Sequence, residues 1–372
     1  MARYDPTRAY RPRRPPSTVE DRDACALYAC IAKDARPAHE PIETALVALD
    51  KMLHRAGNVD GEGDGCGVMV DVPRELWAEA VRAGGHASRL ALDPRFAVAH
   101  VFVPRGSADP APAARELMSR LGFRVLAERH DAVDSSALGA LAREEEPRFW
   151  QVGGLIEDPD RCFELVVRLE ESFDLHVASC STDSVVYKVL GTPAVLGRYF
   201  ADLHDPRLKT AAVLGHNRYS TNTWPSFRRV QPFGVLGHNG EINTIARLRQ
   251  EARMLGVPLT AGGSDSQDLS RTVEALIQRC GLTLVEALEL VLPPIVNEIK
   301  GMPEELRGFY MYLRQAFGPL AQGPVALVSR HGDECVFSVD ALGLRPLWSL
   351  ETGDAFVFSS EPGVVPVADC VS

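Results

Sequence analysis

Short apolar runs with the composition of buried strands lie near both ends of this 372-residue chain. The runs are ALYACIA (26–32), VALVS (325–329), CVFSV (335–339) and AFVFS (355–359). Further strand-like runs between them are AVAHVFV (97–103), FRVLA (123–127) and FELVVRL (163–169). Apolar residues also recur at helical spacing, as at Ile42, Ala45, Leu46, Leu49 and Leu53. Because each strand and helix must bury an apolar face, this order of elements predicts an α+β fold with more than one layer of sheet.

The pentapeptide VLGHN occurs twice, at residues 213–217 and 235–239. Each copy is predicted to be an apolar strand that ends in polar, turn-prone residues. Side chains at the end of a buried strand often lie at the rim of a pocket. The first copy continues into Arg218 and the second into Gly240. The identity does not extend beyond five residues, so we interpret it as similar local geometry and not as a duplication.

The residues around these strand ends fit the recognition of an amino acid. The guanidinium of Arg218 offers two parallel donors to a carboxylate. Asn239 has a side-chain NH2, and Gly240 has no side chain to shield its backbone N–H, which together suit an oxyanion hole. Asp265, in GGSDS (262–266), could hold an ammonium group. The residues alone leave alternatives open, since Asp265 could be a helix N-cap and Asn-Gly is a common turn dipeptide.

The composition excludes several classes of protein. The formal net charge of −10 argues against a general nucleic-acid binder. The sequence contains no run of 18 apolar residues, which is the length that a membrane-spanning helix requires, so no membrane span is predicted. The eight cysteines form no Cys-x-x-Cys, and the spacing of His216 and His238 is not a metal motif, so we expect no metal site. Reduced thiols are typical of the cytoplasm, which is the expected location.

Several motifs follow one another in an order that resembles the class II glutamine amidotransferases, which are N-terminal-nucleophile hydrolases. They are DAC (23–25), HRAG (54–57), GDGCG (63–67), HNRYSTNT (216–223), QPF (231–233), HNGEIN (238–243), GGSDS (262–266), GPVAL (323–327), DALGLRP (340–346) and SSE (359–361). HNGEIN and GGSDS point to the glutaminase domain of glutamate synthase. The resemblance implies a four-layer αββα sandwich.

The resemblance places the nucleophile at Cys25, as the first residue of the mature chain. Its free α-amine, with a pKa of roughly 7.7–8.0, would take the thiol proton and later return it to the leaving ammonia. We therefore expect residues 1–24, with six arginines and four prolines, to be a flexible leader that is removed, and residues 25–372 to form the amidotransferase domain. The family usually has Gly after the nucleophile, where this chain has Ala26. Cys30, five positions on, would face the other side of a strand.

The resemblance also assigns roles to the residues of the pocket. Arg218 would bind the α-carboxylate of L-glutamine with help from Thr221 and Asn222, and Asp265 would bind its α-ammonium. Asn239 and the N–H of Gly240 would form the oxyanion hole. Arg55, in HRAG, resembles an arginine that lies near the nucleophile in the family.

No cofactor is expected in this chain. Glutamate synthases continue beyond this domain into a flavin-binding barrel with an iron–sulfur cysteine run, whereas this sequence stops just after the SSE motif. We therefore expect a stand-alone glutaminase subunit that passes ammonia to a separate synthase subunit, which would carry flavin mononucleotide and an iron–sulfur cluster. Three other interpretations remain open. The nitrogen could pass to another acceptor, such as methylamine in N-methylglutamate formation. The chain could be a non-catalytic subunit that senses glutamine. It could also hydrolyse another amide, although this would not explain why both Arg218 and Asp265 are present to bind an amino acid.

Overall fold

The computed structural model describes residues 25–59, 61–220, 223–366 and 369–371. The expected leader, residues 1–24, and two of the expected carboxylate-binding residues, Thr221 and Asn222, lie outside the described residues. Within the described part, no helix has both the length and the apolar composition that crossing a bilayer requires.

Strands and helices alternate along the chain, and their bounds are as follows. The strands are β1 Ala26–Ala32, β2 Asn58–Val59, β3 Glu62–Gly63, β4 Cys66–Asp71, β5 Phe96–Val103, β6 Phe123–His130, β7 Arg148–Ile156, β8 His176–Ser181, β9 Ser184–Val189, β10 Ala212–Asn217, β11 Leu236–Gly240, β12 Val325–His331, β13 Glu334–Val339, β14 Trp348–Glu351 and β15 Ala355–Ser359. The helices are α1 Glu40–Lys51, α2 Arg74–Ala83, α3 Ala111–Arg120, α4 Ala140–Glu144, α5 Cys162–Ser172, α6 Pro193–Tyr199, α7 Ile245–Met254, α8 Asp265–Cys280, α9 Leu284–Val291, α10 Val296–Lys300 and α11 Glu304–Ala316.

The largest sheet has six antiparallel strands in the order β14-β15-β1-β10-β4-β9. Strand β1 is central, with β10 on one side and β15 on the other, although these partners lie far away in the sequence. Successive side chains of a strand point to opposite faces. Thus Tyr28 and Cys30 pack with Ile42 and Leu49 of α1, whereas Leu27 and Ala29 face a second sheet.

The second sheet has three strands in the order β11-β12-β13 and packs on the inner face of the first. Leu27, Ala29 and Leu214 of the large sheet meet Ala326 and Val328 of β12 in one buried cluster. The opposite face of β11 and β12 packs against α8 and α9 in another cluster. The order of layers is therefore helix, sheet, sheet, helix, which confirms the expected four-layer αββα sandwich.

A further sheet has four strands in the order β6-β7-β5-β8, and the turn between β8 and β9 connects it to the largest sheet. Helices α3 and α5 cover one of its faces. The strand expected over FELVVRL (163–169) is wrong, because these residues form α5. Six residues of α5 are buried, on more than one side of the helix. Its polar face is formed by Glu164, Arg168 and Glu171, which are ion-paired along the helix. The run 163–169 contains only the first two of them, so the helical period is not evident there and the valines give the appearance of a strand.

Candidate active site

Cys25 lies immediately before β1, and the pairing of β1 with β10 fixes its position. Ala26 is opposite Asn217, so the next residues outward, Cys25 and the segment after Asn217, are brought together. The backbone N–H of Tyr219 donates to the Cys25 Sγ at 3.2 Å, and the thiol donates to the Tyr219 carbonyl at 3.6 Å. The thiol is therefore held at the end of the first VLGHN strand.

The electrostatics around Cys25 disfavour a spontaneous thiolate. Burial raises the pKa of the thiol above its ordinary value, and the N–H of Tyr219 and the charge of Arg218 only partly oppose this. The carboxylate of Asp265 acts in the same direction as burial. A nucleophilic thiol at this position therefore needs a neighbouring base.

Arg55 contacts the main chain of Cys25 and is not among the residues that line the cavity described below. Its Nε donates to the Cys25 carbonyl at 3.4 Å, and its Nη1 forms an ion pair with Glu361 at 3.2 Å. Ser360, the preceding residue, accepts the N–H of Leu27 at 3.0 Å. The HRAG and SSE motifs thus position the main chain of Cys25 and Leu27 from outside the cavity.

Arg218 follows β10 and is almost fully buried. Its Nη1 donates to the Ser220 hydroxyl and its Nη2 donates to the Thr223 hydroxyl at 2.8 Å. Burial lowers the pKa of this guanidinium, but arginine stays charged in proteins. A buried cation whose planar fork is already oriented suits a carboxylate ligand.

Sequence reasoning missed Asp64, although it lies in the GDGCG motif. Its Oδ2 accepts the N–H of Ser220 at 2.7 Å, and the Asp64 charge acts on Arg218. A Cβ added at Gly57 would lie 2.0 Å from the same oxygen, so a larger residue there would displace the Asp64 carboxylate from this hydrogen bond. Asp64 therefore anchors the segment that follows Arg218.

The second VLGHN strand, β11, ends at Asn239 and Gly240. Both polar atoms of the Asn239 side chain are buried, and neither has a hydrogen-bond partner among the described residues. Gly240 has φ +148°, and a Cβ there would lie 1.8 Å from the Pro324 carbonyl oxygen. Only glycine fits this position, and an unpaired buried amide directly precedes it.

Asp265 is the first residue of α8 and is not its N-cap. The N-cap is Ser264, which forms a capping box with Gln267. The Asp265 carboxylate instead accepts the N–H of Ile242 at 3.0 Å and of Ser266 at 2.8 Å. These bonds fix the carboxylate beside the cavity, and the N-cap alternative is wrong.

The two histidines of the VLGHN copies connect the strands. His216 Nε2 contacts the His238 carbonyl at 3.0 Å, and His238 Nδ1 contacts the Ser266 hydroxyl at 2.8 Å. Burial lowers the pKa of both imidazoles, that of His216 to about 3, so both are neutral at pH 7. The side-chain amide of Gln231, in QPF, bonds the His238 backbone through both its nitrogen and its oxygen.

In the ranges the structure describes, no group of three or more His, Cys, Asp or Glu residues has the arrangement of a metal site.

One cavity of about 240 Å³ lies between the two strand ends and the start of α8. Its lining includes Cys25, Arg218, Tyr219, Gly240 and Asp265. Pockets for drug-sized ligands are larger, about 300–1,000 Å³, so this one suits a ligand of amino-acid size. The structure therefore brings four of the expected site residues to one cavity, with Asn239 buried next to Gly240 and Arg55 behind Cys25.

A model of the family "Glutamine amidotransferases class-II" matches residues 25–370. The chain is 29% identical to the large chain of NADPH glutamate synthase from Azospirillum brasilense, over 94% of this chain and 25% of that protein. It is 32% identical to ferredoxin-dependent glutamate synthase 2 from Synechocystis, over 95% of this chain and 25% of that protein. The chain thus spans about a quarter of the length of these relatives.

Among solved structures, a glutamine phosphoribosylpyrophosphate amidotransferase from B. subtilis aligns with 93% of this chain and 44% of its own, at a TM-score of 0.45 and 14% identity. The family match covers nearly all of the described chain and includes the cavity residues. The chain belongs to the class II glutamine amidotransferases.

Proposed function

We propose that this chain hydrolyses the side-chain amide of L-glutamine to L-glutamate and ammonia, as the glutaminase component of a glutamate synthase-type complex. The observation that carries the proposal is the convergence of Cys25, Arg218, Gly240 and Asp265 on one cavity of amino-acid size. These groups lie at the ends of four separate elements, and a cation, an anion and a thiol are together what binding and attacking glutamine requires.

Substrate binding uses the two charged side chains. Arg218, with Thr221 and Asn222, holds the α-carboxylate, and Asp265 holds the α-ammonium. The hydrogen bonds of Arg218 to Ser220 and Thr223 fix its guanidinium before substrate arrives, so little side-chain entropy is lost on binding. The side chain of glutamine then extends towards Cys25.

The reaction proceeds through a thioester. The Cys25 sulfur attacks the amide carbon while its proton passes to the α-amine of the same residue, which is free once residues 1–24 are removed. Asn239 Nδ2 and the Gly240 N–H stabilise the tetrahedral oxyanion. The amine then protonates the leaving nitrogen, ammonia departs, and a water molecule hydrolyses the γ-glutamyl thioester to glutamate. Arg55 orients the amine by holding the carbonyl of Cys25.

We further propose that the ammonia passes to a separate synthase subunit with flavin mononucleotide and an iron–sulfur cluster. Support comes from an apolar groove of about 500 Å³ beside the catalytic cavity, whose lining includes Pro324, the neighbour of Gly240. Leu342 and Leu344 line the same groove and are 74% and 56% exposed. Apolar surface of this kind marks protein–protein contacts. The relatives are about four times as long as this chain, so they contain further segments that such a surface could contact.

The glutaminase proposal is tested by measuring glutamate release from L-glutamine by the wild-type protein, Cys25→Ser and Cys30→Ser. Cys30 is the matched control because it lies on β1, five residues after Cys25, and packs against α1. Release that is lost in Cys25→Ser and retained in Cys30→Ser supports the enzyme. Glutamine binding without release in the wild type would instead identify a glutamine-sensing subunit.

Removal of the leader is tested by intact mass. An active preparation should begin at Cys25 and contain 348 residues (372 − 24). Activity in a sample that retains residues 1–24 would exclude the α-amine as the base.

The partner is tested by copurification from the native source, with the visible spectrum of the complex recorded. Leu342→Asp and Leu344→Asp should release the flavoprotein, while Val47→Asp, at an apolar residue of α1 about as exposed as Leu344, should not. A complex that survives both leucine substitutions would place the contact elsewhere.

A further inference from the structure

A second cavity, of about 100 Å³, lies where α5, β8 and α8 meet. It is separate from the catalytic cavity, and α8 forms one of its walls. The side chains of that wall are Gln267, Ser270, Arg271, Glu274 and Gln278. Because they are spaced by three, four and seven residues, they share one face of the helix.

Three polar atoms on this wall are buried without a hydrogen-bond partner among the described residues. They are Ser270 Oγ, Arg271 Nη1 and Gln278 Oε1. Ser270 is only 2% exposed. An unpaired buried polar group costs about 1–3 kcal/mol, so three of them on one wall indicate groups arranged to meet a ligand.

The wall also carries one charge of each sign. The Arg271 guanidinium is fixed by an ion pair between Nη2 and Glu170 and by the Phe163 ring, 5.7 Å from its centre, which leaves Nη1 available. The Glu274 carboxylate lies against Gly234, where an added Cβ would be 3.2 Å from both of its oxygens. Burial raises the pKa of Glu274 to about 7, although Arg271 opposes this. Residues three apart on a helix are about 5–6 Å apart at Cβ, so donor and acceptor are close neighbours.

We propose that this cavity is a second ligand site that binds a small zwitterionic α-amino acid such as glycine or L-alanine. The carboxylate is bound by Arg271 Nη1 and the Ser270 hydroxyl. The ammonium is bound by the Glu274 carboxylate and Gln278 Oε1. A simple anion would leave the Glu274 carboxyl without a partner and a simple cation would leave Arg271 Nη1 without one, and the volume limits the ligand to a small side chain.

The two cavities share α8. Its first turn presents Asp265 and Ser266 to the catalytic cavity, and Gln267 lines the second cavity. Gly234 follows Phe233 in the loop that also carries Gln231, which lines the catalytic cavity. The second ligand would therefore contact both segments that border the catalytic cavity.

The test is calorimetric titration of the full chain at pH 7 with glycine, L-alanine and L-serine, and separately with acetate and methylamine. We expect one amino acid bound per chain, at least tenfold more tightly than acetate or methylamine. Heat with none of the amino acids at millimolar concentration would mean that the cavity holds only water and would overturn the proposal.

Variants then locate the site. Glu274→Gln removes the anion but keeps the shape, and Arg271→Lys keeps a cation for Glu170 but lacks the second nitrogen. Each should weaken binding at least tenfold, whereas Glu305→Gln, an exposed carboxylate on α11, should leave it unchanged. Asp265→Asn should also leave it unchanged. Binding that is lost in Asp265→Asn and kept in Glu274→Gln would assign the ligand to the catalytic cavity and refute a second site, with no bearing on glutamine hydrolysis.

Discussion

The two VLGHN copies allow the oxyanion hole to be tested with an internal control, because their asparagines have opposite environments. The Asn239 amide is buried without a partner among the described residues, whereas Asn217 Nδ2 donates to the Leu49 carbonyl at 2.7 Å. Each residue is about 1% exposed. Substitution by alanine therefore removes similar buried groups with different predicted consequences.

Asn239→Ala should reduce kcat about 10²- to 10³-fold, since removing one oxyanion-hole donor typically costs about 2.7–4 kcal/mol of transition-state stabilisation. KM for glutamine should change little because this donor acts mainly on the charge that develops during the reaction. The free energy of unfolding should fall only by the cost of the small cavity that the missing amide leaves. No hydrogen bond to a described residue is broken, and the desolvation cost of the amide disappears.

Asn217→Ala should show the reverse pattern. It removes one of two donors to the Leu49 carbonyl, which keeps the N–H of Met52 at 3.1 Å, so loss of this hydrogen bond should cost about 0.5–1.5 kcal/mol and lower Tm. Its kcat should stay within a few-fold of wild type. Steady-state glutaminase kinetics and thermal unfolding of both variants give the four values needed. Similar kcat for Asn239→Ala and Asn217→Ala would refute the assignment of Asn239 to the oxyanion hole.

Three further predictions follow from the site and from the second cavity. Arg218→Lys should raise KM for glutamine at least tenfold with a smaller effect on kcat, because lysine cannot offer a two-pronged donor; an unchanged KM in steady-state kinetics would argue against the clamp. Gly240→Ala should lower the free energy of unfolding by more than 1 kcal/mol and abolish turnover, since its Cβ would lie 1.8 Å from the Pro324 oxygen; equal urea midpoints for variant and wild type would contradict this. Glu274→Gln should stabilise the protein above pH 7 by at most about 3 kcal/mol. The carboxyl has a folded pKa of about 7, above its ordinary 4.5, so the folded state holds the proton longer and stability is lost as pH rises between these values; a gain in urea midpoint that is the same at pH 4 and pH 8 would exclude this cause.

The sequence predicted the fold class and the two strand ends well, because apolar runs and turn-prone residues are local signals. The sequence wrongly predicts a strand at α5 because the apolar run 163–169 is too short to show the polar face of the helix, which continues to Glu171. The N-cap of α8 was also ambiguous in the sequence, where Ser264 and Asp265 are both good capping residues. Only the backbone geometry assigns the cap to Ser264.

Contacts between distant segments could not be predicted from residues alone. Asp64 meets Ser220 across 156 positions, and Tyr219 meets Cys25 across 194. These contacts depend on strand register, and a shift of one residue would turn every side chain to the other face. The steric need for glycine at position 240 is likewise not visible in the sequence, because the Pro324 carbonyl is brought close only by the tertiary structure.

The position of β1 between β10 and β15 has a consequence for synthesis of the protein. Strand β1, which follows Cys25, is translated before both of its neighbours, which are complete only after residues 217 and 359. The Arg55–Glu361 pair, which steadies the Cys25 backbone, needs still later residues. A ribosome-bound chain that is shorter than this cannot position the thiol. We therefore expect the proposed glutaminase activity to arise only once translation has passed Glu361, so that shorter chains should leave glutamine unchanged.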